Sequence, residues 1–405
     1  MTRLLEILIS MAIVAVLFLL VGVVLPSSKS LRESVETNRR MTIVYDTLNS
    51  LRRFKDWSPL TARDPGIQLK VSGPESGVGA RVDFTSQNSN IGTGSWELTE
   101  SVPNEKISYA ITDEQRGSNK RTDFLLKPTG RNNRNVEITQ TYHVDYGWDL
   151  IGRYAGLYVS RSVGDNLKLG LGRIMNMLAA VPNVDYRVEG SRLTDLQAVD
   201  TPAEHLLVVA AGGIERNNQK IQDSMKANLE WIKRNIDANG LQAVGPVRII
   251  TTELGRETYT FDVAQAVVRR GAGASANGDD DDDAAGAPAA PVPATGSESP
   301  LTGLALTGPV TYVHRPAGRA AKASYVGYMA ELDNVRNALR AWAVTAGHEV
   351  TERPYEAYRN GVDAAFTESG EYDVFWTLRD PNAQPVAAAP VAPAPAAPPA
   401  DGGSR

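Results

Sequence analysis

The sequence predicts an α+β protein. An apolar N-terminal helix comes first, then an antiparallel sheet wrapped around a long closing helix, then a duplicated βαββ unit. Three observations carry this reading. Ile7 to Leu25 is a run of 19 residues without a charge. Residues 31–180 hold alternating apolar segments at roughly ten-residue spacing, closed by one long helical pattern. Residues 184–270 and 308–380 repeat the same order of pattern elements.

Composition narrows the function. The 405 residues, 42% of them hydrophobic, are enough for two or three domains. There is no cysteine, so a disulfide framework, a Cys-ligated metal and a thiol nucleophile are excluded. The net charge of −5 equals the contribution of Asp279 to Asp283 alone. The other 42 acidic residues balance 42 basic ones, so no basic excess points to nucleic acid. His143, His205, His314 and His348 are scattered, without the spacing of a metal motif. No cofactor or metal is expected.

Residues 1–26 are expected to be a retained membrane anchor. A helix over Ile7 to Leu25 would be roughly 28 Å long, close to the thickness of a hydrocarbon core. A cleaved signal would have a shorter apolar run ending in small residues. This one ends in Leu25-Pro26-Ser27-Ser28. Arg3 precedes the span, and Lys29, Arg32, Arg39 and Arg40 follow it. Counting positive charges places the globular part in the cytoplasm.

Residues 27–183 form the next domain. Met41, Val44, Leu48 and Leu51 recur at helical spacing. Alternating segments follow at Ile67 to Val71, Val82 to Phe84, Trp96 to Leu98, Ile107 to Ile111, Phe124 to Leu126 and Val136 to Ile138. Gly77, Gly79, Gly92 and Gly94 sit at strand ends, as in an antiparallel meander. Leu167, Leu171, Ile174 and Leu178 mark one face of the closing helix.

The repeat occupies 184–270 and 308–380. Each half begins with a β-like run, His205 to Ala210 and Val310 to His314, followed by a Gly-containing turn with a basic residue. Amphipathic helices come next: Met225, Leu229, Ile232 and Ile236 in one, Leu332, Val335, Leu339 and Trp342 in the other. Gly240 and Gly347 fall where a helix C-cap is wanted, and Pro246 and Pro354 open the next strands. Between the halves, 271–307 is assigned to an acidic Gly/Ala/Pro linker, and 381–405 to a Pro/Ala tail. Such compositions do not bury enough surface to offset ordering entropy, so both are expected to be disordered. The aspartate run is read as solvated.

Two stretches resemble known families. Phe54-Lys-Asp-Trp57-Ser58-Pro59, Gly77-Val-Gly79-Ala80 and Gly92-Thr-Gly94-Ser-Trp96-Glu97 resemble the polyketide cyclase/dehydrase and lipid-transport family of the START-like (SRPBCC) superfamily. Leu60 stands where that family usually has a second Trp. Val244-Gly245-Pro246 and Pro354-Tyr355-Glu356-Ala357-Tyr358 are similar to the GyrI-like bacterial effector-binding domain. The first resemblance implies a helix-grip fold with an apolar cavity, whose wall candidates include Trp57, Trp96, Tyr109, Tyr154 and Leu157. The second implies a groove between two halves, lined by Tyr259, Tyr312, Tyr358 and Trp376 around the Glu356 carboxylate. Rings and a negative charge suit a cationic or amphipathic guest.

The expected protein is therefore a single-pass bacterial inner-membrane protein that binds, senses or hands over a hydrophobic or amphipathic small molecule. No catalytic residue is assigned, because no nucleophile–base set is legible. A cyclase- or hydrolase-type enzyme and a scaffold without a ligand are the rivals.

Overall fold

The computed structural model describes residues 2–187, 192–271 and 299–380. It is an α+β structure with one apolar N-terminal helix and two antiparallel sheets. Helix α1 (Thr2–Val24) is long and apolar enough to cross a membrane.

The first sheet follows directly. Strand β1 (Ser28–Thr37) precedes three short helices, α2 (Met41–Leu48), α3 (Phe54–Trp57) and α4 (Pro59–Arg63). The meander is β2 (Gln68–Ser72), β3 (Arg81–Thr85), β4 (Thr93–Val102), β5 (Lys106–Asp113), β6 (Ser118–Thr129) and β7 (Asn135–Asp145), closed by α5 (Leu150–Ala179). Sheet order is β1-β7-β6-β5-β4-β3-β2, so the first strand lies beside the last. Leu167, Leu171, Ile174 and Leu178 of α5 are buried, as their spacing requires. Asp149 caps the helix by accepting from Gly152 N. At Gly94 a Cβ would lie 2.3 Å from the Thr112 carbonyl oxygen and 2.5 Å from the Phe84 ring, so only glycine fits there.

The second sheet has eight strands. The first half is β8 (Leu193–Thr201), β9 (Glu204–Glu215), α6 (Asn218–Ala238), β10 (Leu241–Leu254) and β11 (Thr258–Arg269). The second is β12 (Val310–Arg315), β13 (Gly318–Val326), α7 (Leu332–Thr345), β14 (Tyr355–Tyr358), the short α8 (Gly361–Ala364) and β15 (Glu371–Leu378). The order is β12-β9-β11-β10-β14-β15-β13-β8. Each half thus lends its first strand to the other half's edge, β12 onto β9 and β8 onto β13.

This corrects the reading of the repeat. The unit is ββαββ, not βαββ. His205 to Ala210 and Val310 to His314 are hydrogen-bonded neighbours, and the true counterpart of β9 is β13. Strand β8, Leu-Thr-Asp-Leu-Gln-Ala-Val-Asp-Thr, is too polar to announce itself by apolar alternation. Gly240 (φ 62°) and Gly347 (φ 85°) do terminate α6 and α7 in the left-handed region.

The assigned linker is also shorter than its composition implies. Residues 299–307 form a strap across α6, with Leu301, Leu304 and Leu306 packed on the core. Asn235 Oδ1 accepts from Thr307 N (2.8 Å), and Asn239 Oδ1 accepts from Ala305 N (2.6 Å). The expectations for 272–298 and 381–405 lie outside the described residues.

The two domains dock through α7. Leu332, Val335, Leu339 and Ala343 face its own sheet, whereas Ala338 and Ala341 join the core of the first domain against α2. Arg53 Nη1 donates to the Val344 carbonyl (3.1 Å) at the end of α7.

Strand exchange generates a test. If Asp279 to Asp283 are replaced by a specific protease site and the chain is cut there, the two fragments should still co-elute in gel filtration and separate only in denaturant. Separation under native conditions would contradict the exchanged pairing.

Candidate functional site

The eight residues assigned to binding fall into four places. Trp57, Trp96 and Tyr109 come together, but as core. Phe54 and Trp57 are 5.0 Å apart (ring centroids), Trp57 and Trp96 5.9 Å, and Trp96 and Tyr109 5.8 Å. Trp57 and Tyr109 are fully buried. Trp57 meets Phe54 and Trp96 edge to face, Trp96 and Tyr109 are tilted, and all belong to the buried core cluster of this sheet and its helices. Tyr109 donates its hydroxyl to the Leu48 carbonyl, and burial raises its pKa well above the ordinary tyrosine value. Tyr154 and Leu157, expected on the cavity wall, instead point out of the domain: Tyr154 bonds to α1, and Leu157 is 56% exposed.

Glu356, Tyr259 and Tyr358 meet at the seam between the halves. Strand pairing places Glu356 opposite Ile249, where β14 joins β10 at the centre of the sheet. Its side chain turns toward the helices. There Arg336 of α7 donates Nε to Glu356 Oε1 (2.6 Å), with both residues buried. Burial opposes the Arg336 charge, but the Glu356 carboxylate outweighs it and holds the guanidinium pKa above its usual value. Burial, aided by Glu356, pushes Tyr259 up to about 12, and burial, aided by Tyr259 and Glu356, holds Tyr358 well above the ordinary tyrosine value, so both phenols stay neutral. Tyr259 Oη bonds Thr251 Oγ1 (2.9 Å), whereas Glu356 Oε2 and Tyr358 Oη have no hydrogen-bond partner among the described residues.

The carboxylate expected to attract a cationic guest therefore already holds a cation of its own chain. A recess of about 140 Å³ remains beside Tyr259 and Arg336, and another of about 300 Å³ beside Tyr358 and Pro246. The first is well below the roughly 300–1,000 Å³ of small-molecule sites. Arg336 was legible as an anomaly: at +4 from Leu332 and −3 from Leu339 it interrupts the apolar stripe of α7.

Trp376 and Tyr312 stand apart from the seam. Trp376 lies under Arg340, with Cζ 5.9 Å from its ring centroid. Tyr312, on edge strand β12, bonds His205 Nδ1 (2.8 Å) and accepts from Leu301 N (2.8 Å), which ties down the strap.

A concavity larger than these two recesses was not singled out by any sequence motif. It is a cleft of about 610 Å³ where the domains meet, lined by Tyr45, Arg52, Tyr186, Arg319, Trp342 and His348 among others. Arg52 pairs with Glu75 and approaches His348 Nε2 (3.4 Å), and Tyr186 donates to Asp46 Oδ2 (2.9 Å). Burial lowers the His348 pKa, and Arg52 and Arg319 lower it further, so the imidazole is neutral at pH 7. These residues come from segments hundreds of positions apart, which only docking unites.

One arrangement mimics catalytic machinery. Ser30 Oγ lies 2.9 Å from His143 Nδ1, and His143 Nε2 lies 3.0 Å from Asp145 Oδ1. Ser30 is paired with His143 across β1 and β7, on the sheet face turned away from α5. Asn119 and then His143 keep the Asp145 pKa below the usual carboxylate value. The trio is an exposed cross-strand ladder without a surrounding pocket. Among the described residues no group of three or more His, Asp or Glu is placed to hold a metal ion.

No protein-family model matches this chain, and no curated protein matches it. Over part of its length it is similar to solved structures. One is a point mutant of Thalictrum flavum norcoclaurine synthase with a transition-state analogue (12% identity, 38% of this chain and 94% of that one, TM-score 0.31). Another is a protein from Thermobifida fusca (18% identity, 37% and 93%, TM-score 0.29). A third is CV1439 from Chromobacterium violaceum (18% identity, 37% and 94%, TM-score 0.27). Similarity of this order is too low to carry an assignment of function.

The seam yields a stability prediction. Glu356→Ala leaves Arg336 buried and unpaired, and should cost about 3–5 kcal/mol in urea unfolding. The double variant Arg336→Met, Glu356→Leu should recover most of that loss. A loss under about 1 kcal/mol for the single variant would mean that the pair is not held dry.

Proposed function

We propose that this chain is a membrane-anchored binding protein in which a START-like domain and a GyrI-like domain together hold an amphipathic small molecule in the cleft between them. The carrying observation is an interdomain cleft of about 610 Å³, the size of a small-molecule site. The charge-balanced composition makes nucleic acid a poor candidate for the guest.

The lining favours a particular guest. Tyr45, Tyr186 and Trp342 offer ring surface, while Arg52, Arg187 and Arg319 are paired with Glu75, Asp46 and Asp200 in turn, so the polar part of the lining is charge-balanced. This combination suits an apolar body carrying polar groups, and it does not call for the cationic guest read from Glu356. Helix α7 lines the cleft through Trp342 and reaches the seam through Arg336. A guest that moves α7 would be felt at both, which is the behaviour of a sensor. The enzyme reading has one observation in its favour, the Ser30, His143 and Asp145 trio, but that trio sits on an open sheet face without a substrate pocket.

Two outcomes are expected. Native mass spectrometry of the detergent-solubilised protein should find a co-purified guest. Gln197→Trp, at an exposed lining position, should remove it while leaving the far-UV circular dichroism unchanged. An apo mass for the unaltered protein would favour a scaffold.

The second outcome concerns pH. The folded-state pKa of His348 lies below its ordinary 6.5. Its contribution to stability is therefore complete above about pH 6.5 and declines as pH falls toward the folded-state value. Acidification should loosen the docked domains, followed by interdomain energy transfer, and His348→Gln should remove that component. His205, also lowered by burial, contributes in the same window but lies away from the interface.

A further inference from the structure

Most large apolar side chains exposed on the globular part are scattered, but four fall within one short stretch. Trp148 is 81% exposed, Ile151 56%, Leu157 56% and Tyr158 75%. They flank and form the outward face of the first turns of α5. The opposite face is built for contact with the domain: a Cβ at Gly152 or Gly156 would lie 2.9 or 2.8 Å from the Tyr146 ring.

This stretch is fastened to the end of α1. Arg153 donates Nη1 to the carbonyls of Gly22 (3.3 Å), Val23 (2.8 Å) and Leu25 (3.2 Å), which have no partner within a helix that ends there. Tyr154 stacks on Phe18 with ring centroids 4.3 Å apart, and its hydroxyl donates to the Phe18 carbonyl (2.7 Å). A Cβ at Gly22 would meet Leu150 and Tyr154 at 3.3 Å, so the glycine sets how closely the helices approach.

Depth follows from helix geometry. The apolar span is Leu5–Val24. Phe18 lies six residues inside its end, roughly 9 Å along the axis at about 1.5 Å per residue. A ring stacked on Phe18 cannot stay in bulk water if α1 crosses the bilayer.

We propose that the first turns of α5 are a second membrane contact, with Trp148, Ile151, Leu157 and Tyr158 seated at the boundary between headgroups and acyl chains. The occupant of this face is lipid. Trp148 beside the Arg153 guanidinium (5.5 Å to the ring) has the amphipathic chemistry of an interfacial anchor. The inference rests on reading α1 as a span.

The absence of cysteine makes the test direct. Single variants Val14→Cys, Leu157→Cys, Tyr158→Cys and Arg131→Cys carry a nitroxide in the full-length protein, reconstituted in phosphatidylcholine–phosphatidylglycerol nanodiscs. Collision with oxygen and with a water-soluble nickel chelate is then measured. At 157 and 158 oxygen should outweigh nickel severalfold, as at 14, with the reverse at 131. If 14 reports lipid while 157 and 158 match 131, the second contact is wrong and the anchor stands. If 14 itself reports water, both fall. Shielding of 157 and 158 from both reagents, with spin–spin broadening, would assign the face to a second copy and also overturn the inference.

Discussion

Two chain connections, each only three Cα steps long, constrain the whole second domain. Thr201 leads to Glu204, and Arg315 to Gly318, a reach of at most about 11 Å. In sheet order, however, β12 and β13 are six strand spacings apart, as are β8 and β9. A flat sheet would separate each pair by roughly 29 Å. The sheet must therefore curl until its two lobes face each other. Arg315 records the result: it starts on edge strand β12, yet its guanidinium lies 4.7 Å from the ring of Tyr355 on central β14 and bonds Thr377 of β15 (2.5 Å). The concave face is charged and aromatic, with Arg248 in a two-pronged bond to Glu204 (2.6 Å each).

Curling puts both helices on the outer face and brings Glu356 to the middle of the seam. It also leaves α7 to be covered by the first domain. The alanines at 338 and 341 make that possible, since small side chains let α2 approach, and α7 is consequently buried on two sides. The seam and the interdomain cleft thus share one structural member. Packing α7 closes the first with Arg336 and frames the second with Trp342.

Much of this architecture was legible. Periodicity of 3.6 and of 2 announced α5, α6, α7 and the meander, because each buries one face continuously, whereas α1 was announced by an uncharged apolar run of spanning length. Pairing was harder. That β1 joins β7 depends on a contact more than 100 residues distant, and β8 lacks the apolar alternation that marks a strand. The strap at 299–307 hid behind a Gly- and Pro-rich neighbourhood, although Leu301, Leu304 and Leu306 were its signal. The site was less legible than the fold. Residue type could mark Glu356 as unusual, but only geometry shows which cation it faces. Aromatic residues that look like a cavity wall look equally like a core, and Trp57, Trp96 and Tyr109 form a core.

The grip of Arg153 and Tyr154 on the last turns of α1 has a mechanical meaning. A domain hung from a helix by a loose tether can swivel and bob. Here three carbonyl bonds and a ring stack turn the joint into a bracket, so the tilt and rotation of the globular part are inherited from the helix. With α1 spanning a bilayer as proposed, the mouth of the interdomain cleft would be carried at a set height and bearing relative to the membrane plane.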